Sequence, residues 1–68
     1  MFKISLAAAR INKGYKQGEA AEIIGVKAQT LRNWEKGKSY PKQVYIARMC
    51  DLYGVSYDML NFLPNKLG

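Results

Sequence analysis

Gln17-Gly18-Glu19-Ala20-Ala21-Glu22-Ile23-Ile24-Gly25-Val26-Lys27-Ala28-Gln29-Thr30-Leu31-Arg32-Asn33-Trp34-Glu35 is the stretch whose reading decides the fold. Apolar residues recur at helical spacing on both sides of Gly25, with Ala20, Ala21 and Ile24 on one face before it and Leu31 and Trp34 after it. A three-residue turn that starts with glycine forces two short helices to cross steeply. The crossing closes only if the first helix is narrow there, and Ala21 supplies the narrow point. Val26, Leu31 and Trp34 then fill it. At about 100° per residue, Thr30, Leu31 and Trp34 cluster on one side of the second of these helices. Ala28, Gln29, Arg32, Asn33 and Lys36 cluster on the other. That outer set holds two amides, a guanidinium, an ammonium and one small gap. Such groups suit base edges in a major groove: Arg with guanine, Asn and Gln with adenine, Ala against a thymine methyl.

Outward from this stretch, periodicity and the breakers Gly14, Gly25, Gly37 and Gly54 divide the chain into five helical segments. The spacing predicts a first helix over about Ile4 to Lys13, with Leu6, Ala9 and Ile11 inward. A second runs from Gln17 to Ile24 and a third from Ala28 to Lys36. The fourth covers Lys42 to Tyr53, burying Ile46, Met49, Cys50 and Tyr53. The fifth is capped by Ser56 and runs through about Phe62, before Pro64. No strand-like alternation competes. The expectation is an all-α bundle, a single domain over residues 1–68 with a tail at 63–68.

Composition narrows the function. The 68 residues carry 11 Lys and Arg, 5 Asp and Glu and no His, a net charge of +6. A chain of this length buries only about 60% of the surface its unfolded form exposes, which leaves little room for a multi-step active site. Cys50 stands alone, so no internal disulfide and no Cys/His zinc site is expected, in keeping with a reducing cytoplasm. It reads as a small core residue. No apolar run exceeds four residues, too few for a signal-peptide core or a membrane span. The carboxylates Glu19, Glu22, Asp51 and Asp58 form no pair suited to acid–base chemistry, and Glu19 and Glu22 read as solvated. Neither an enzyme, a cofactor nor a metal is expected. The charge balance is +5 over residues 1–38 and +1 over 39–68, so an anionic partner belongs with the N-terminal half.

The pattern resembles the Cro/CI-type helix-turn-helix family, which includes lambdoid phage repressors and XRE-type regulators and serves as a standard illustration of helix-turn-helix docking. The resemblance spans about residues 4–62. It rests on Arg10, Gly14, Gln17, Ala21, Gly25-Val26, Leu31, Trp34-Glu35-Lys36-Gly37, Pro41 and Leu52-Tyr53-Gly54-Val55-Ser56 running into Leu60. It implies a compact five-helix, lambda-repressor-like DNA-binding domain with the helix-turn-helix at about residues 17–36. It further implies that Ala28, Gln29, Arg32 and Asn33 lie in the major groove and that Gln17 holds a phosphate. Arg10 and Glu35 are implied as an ion pair clamping the first helix to the third, a structural role that competes with DNA contact for Arg10. Two departures stand out. Lys16 and Lys27 occupy helix starts where the family has Ser or Thr, giving up a cap worth about 1 kcal/mol each and placing a cation at a positive helix end. Either these lysines face DNA phosphates, which offsets that cost, or they are tolerated surface changes. Lys36, Lys38, Tyr40 and Lys42 lie where they can reach phosphates or remain solvated.

The functional expectation is a sequence-specific double-stranded DNA-binding regulator, a repressor, in the cytoplasm of a bacterial or phage-infected cell. A domain of this size makes few base contacts and calls for a homodimer on a palindromic operator, with recognition helices about 34–36 Å apart. Tyr57, Leu60, Phe62 and Leu63 are the expected dimer surface, because they offer more apolar area than a terminal helix needs. The alternative is a protein-interaction module, such as an antitoxin or regulator adaptor, with DNA binding secondary. A membrane-surface binder is disfavoured, since no helix pairs a broad apolar face with a lysine-rich one.

Overall fold

Ser5 sets where the first helix begins. Its backbone is extended, and its Oγ accepts the N–H of Ala8 at 3.1 Å, satisfying one of the donors that a helix start leaves open. In the computed structural model, which describes residues 3–62, β1 (Ile4–Ser5) leads into α1 (Leu6–Asn12). There follow α2 (Gln17–Ile24), α3 (Ala28–Glu35) and α4 (Gln43–Tyr53). A single 3-10 turn, Tyr57–Met59, then leads to β2 (Leu60–Asn61). The strands pair in parallel, Ile4 opposite Leu60 and Ser5 opposite Asn61.

The turn between α2 and α3 is built on Gly25, whose φ of 96° is a left-handed conformation that side chains disfavour. The N–H groups of Gly25 and Val26 both donate to the Ala21 carbonyl at 2.9 Å. A β-carbon on residue 25 would also come within 3.1 Å of Arg48 Nη1. Ala20 and Ala21 are buried at the crossing, as are Leu31 and Trp34 from α3. Leu6 and Ala9 of α1 and Ile46, Met49 and Tyr53 of α4 complete one core. The mainly helical, compact architecture agrees with the expectation for a helix-turn-helix domain.

Several details differ. Among the described residues there are four α-helices, not five. The segment expected as a fifth helix contains only the 3-10 turn and then becomes extended. The reason lies in Leu60-Asn61-Phe62: Leu60 and Phe62 are 3% and 8% exposed, with Asn61 between them half-buried. That is a period of two, which a strand satisfies and a helix does not. The partner for this extended segment is β1, so the first helix starts at Leu6 and not at Ile4. Ile11 is 62% exposed, since α1 turns only the Leu6 and Ala9 side inward. Leu63 and the rest of the expected tail lie outside the described residues.

Candidate nucleic-acid interface

The two sides of α3 separate as its wheel requires. Leu31 and Trp34 are buried and Thr30 half-buried. Ala28, Gln29, Arg32 and Lys36 are exposed, and Asn33 is half-buried at the edge of that outer face. Gln29 Nε2 donates to Asn33 Oδ1 at 3.2 Å, one turn along the helix. The Arg32 side chain makes no hydrogen bond or ion pair among the described residues, so its guanidinium is open to a ligand.

The starts of α2 and α3 both carry an extended lysine, Lys16 and Lys27, and neither ammonium caps its helix. They are otherwise unlike. At α2, Glu19 turns its carboxylate back and Oε1 accepts the Lys16 N–H at 2.8 Å, half of a reciprocal cap, with a negative charge at the positive helix end. At α3 the corresponding third position is Thr30, with no carboxylate in the first turn. Glu19 therefore has a structural task, which corrects its reading as a merely solvated residue. The signal was available in its position three residues after Lys16.

Behind the interface, Arg10 grips Glu35 with a fork: Nε to Oε2 at 2.8 Å and Nη2 to Oε1 at 3.2 Å. Its Nη1 also donates to the Tyr15 carbonyl at 2.9 Å. The two side chains are 12% and 6% exposed, and the hydrogen bond Arg10 donates to Glu35 raises the Arg10 pKa above its ordinary value against the opposing effect of burial. Gln17 Nε2 donates to Glu35 Oε1 at 2.9 Å. One carboxylate thus ties α1, the start of α2 and the end of α3 together. The tie takes one of Gln17's two amide hydrogens.

Tyr53 lies under this clamp with its hydroxyl buried and, among the described residues, without a hydrogen-bond partner. Burial, aided by the negative Glu35, pushes its pKa up to about 12, with Arg10 acting in the opposite direction. Arg48, from α4, donates through Nη1 to the Ile24 carbonyl at 2.8 Å, placing a cation at the negative end of α2. Its guanidinium sits 5.6 Å from the Tyr45 ring, which in turn lies 5.5 Å from Trp34. Sequence reading placed Tyr53 in the core, where it lies, but missed its partnerless hydroxyl, and it missed Arg48. A three-residue spacing between Tyr45 and Arg48 was the available signal for the second.

The other sequence candidates fall into two groups. Lys38 and Lys42 are exposed after α3, Lys42 at the start of α4, within the same chain segment as Lys36. Tyr40 belongs elsewhere: its hydroxyl is 3.2 Å from that of Tyr57, and its ring is 5.2 Å from Phe62. Tyr40 and Tyr57 are about half exposed and border an open groove of about 460 Å³ that Lys3 and Asp58 also line. Leu60 and Phe62 are taken up by the chain's own core. This corrects their reading as spare apolar surface, leaving Tyr57 as the exposed one among the described members of that set. No group of three or more His, Cys, Asp or Glu able to hold a metal occurs among the described residues.

Comparison with known proteins completes the site. A helix-turn-helix family pattern matches residues 6–60. The chain is 33% identical over 60 residues to the SPbeta prophage-derived uncharacterized HTH-type transcriptional regulator YonR of Bacillus subtilis (strain 168). That match covers 88% of this chain and 56% of the relative, so the chain spans about half the relative's length. No solved structure matches.

Proposed function

The chain belongs to the helix-turn-helix family, and from that premise we propose that it is a sequence-specific double-stranded DNA-binding transcriptional regulator, a repressor, that lays α3 in the major groove. The observation that carries the reading is the division of α3. Its inner side is buried, while its outer side presents Gln29, the unpaired Arg32 and Asn33 together, the side chains suited to base edges. Ala28 adds a small apolar contact at the helix start. Lys16, Lys27, Lys36, Lys38 and Lys42 surround this face and hold phosphates. Gln17 adds its second amide hydrogen. Tyr40, turned toward Tyr57, leaves the phosphate set.

Two copies act on a palindromic site, meeting through the face around Tyr57 and Tyr40. Opposite charges lining its groove, Lys3 and Asp58, suit a two-fold contact in which each faces the other's counterpart. No helix among the described residues is long and apolar enough to cross a membrane, and the proposed place of action is the cytoplasm of a bacterial or phage-infected cell, where the DNA is.

A salt series of binding to a selected duplex and to a scrambled one tests this. Five engaged lysines per chain give a log–log slope of roughly −4.5 per chain on both duplexes, with the selected duplex bound at least about a thousandfold more tightly. Binding indifferent to salt and sequence contradicts the proposal and favours the protein-interaction module.

A further inference from the structure

The outer face of α3 holds a contact that changes what its two amides offer. Gln29 Nε2 donates to Asn33 Oδ1 at 3.2 Å across one helical turn, a side-chain pairing that stabilises helices at this spacing. A planar amide carries its oxygen and nitrogen about 120° apart, so holding Oδ1 toward Gln29 turns the Asn33 NH2 group away from it. Among the described residues that NH2 group meets no hydrogen-bond acceptor. Asn33 therefore presents donors outward, with one of its oxygen's two acceptor sites taken by Gln29. Gln29 keeps its own Oε1 and one N–H.

Resting on the DNA-reading function above, we propose that Gln29 and Asn33 act as one reading unit. The engaged oxygen biases Asn33 away from adenine, which needs an acceptor and a donor, toward the two-acceptor edge of guanine, N7 and O6. Gln29 reads a neighbouring base pair with its remaining acceptor and donor, a combination that fits adenine. Base preference at the two positions is then coupled: the residue at 29 decides what Asn33 selects. Independent readers would each keep their preference when the other is truncated.

Three selections from a random duplex pool test this, using the wild-type chain, Asn33→Ala and Gln29→Ala. Both substitutions lie on the solvent side of a helix and introduce its best former, and matching melting temperatures of the three proteins establish that all are folded. The position whose preference disappears in Asn33→Ala is the one that Asn33 reads. The wild type should select guanine there. In Gln29→Ala, with Oδ1 released, the guanine-to-adenine ratio at that same position should fall at least about tenfold. An unchanged ratio, or adenine selected there by the wild type, overturns the coupling while leaving DNA reading intact. A wild-type selection with no preferred sequence overturns the underlying function, and with it the coupling.

Discussion

The two sides of α3 use the same kinds of side chain to opposite ends. On the inner side Glu35 accepts from Arg10 Nε and Nη2 and from Gln17 Nε2, with little of either charged side chain exposed. On the outer side Arg32 is exposed and, among the described residues, its side chain is unpaired while the two side-chain amides bond only to one another. The difference teaches where polar groups serve folding and where they remain open for binding. A buried charge must be paired or it destabilises the fold. An exposed charge is stabilised by water until an anion replaces that water. Identical chemistry on one eight-residue helix is thus divided by burial.

The largest expected effect comes from breaking the inner side. Glu35→Ala leaves the part-buried Arg10 guanidinium without its carboxylate and should cost about 1–3 kcal/mol of stability, read from urea unfolding. A loss below 1 kcal/mol would place the pair with ordinary surface ion pairs and blur the comparison. Next is Tyr53. In the unfolded chain its phenol ionises near 10 and in the folded chain at about 12. Its contribution is therefore fully present below pH 10 and is lost as pH rises through about 12. Relative to Tyr53→Phe, the wild type should lose on the order of 2 kcal/mol across that window. At neutral pH, Tyr53→Phe should be neutral or slightly stabilising, since the hydroxyl it removes is buried without a partner. Parallel stability curves for the two proteins from pH 9 to 12 would remove Tyr53 from the account.

On the outer side the order of effects reverses. Arg32→Ala should change stability by no more than about 0.5 kcal/mol but weaken binding to a selected duplex by about 1–3 kcal/mol and relax one base position. Equal losses on selected and scrambled DNA would reassign Arg32 to the phosphates. The smallest effect concerns the bare start of α3. Lys27→Ser supplies the missing cap and should raise stability by about 1 kcal/mol. It should also weaken binding to all sequences alike and reduce the salt slope by about 1. A gain in stability with no change in slope would make Lys27 a tolerated surface change.

Much of this organisation was legible in the sequence because it is local. Gly25 at the turn, Ala21 at the crossing and the split of α3 follow from helical spacing over fewer than twenty residues, and Arg10 and Glu35 met as the family resemblance implied. What was not legible depends on partners distant along the chain. The Ile4–Leu60 pairing joins two-residue strands, too short for their alternation to stand out against a helical pattern. That hidden pairing is why Leu60 and Phe62 read as surface and turned out to be core. Arg48 meeting the Ile24 carbonyl and Gln17 meeting Glu35 are likewise consequences of packing. Polar residues carry no periodic signal that tells which neighbour will satisfy them.

Amide chemical-shift mapping of the protein with a selected duplex tests the division of α3 most directly. The account predicts that the largest perturbations fall on residues 28–36 and on the start of α2 at Lys16 and Gln17, with the exposed side of α4 around Val44 and Ala47 unchanged. Perturbations centred on Tyr40 and Tyr57 that leave α3 unmoved would contradict it.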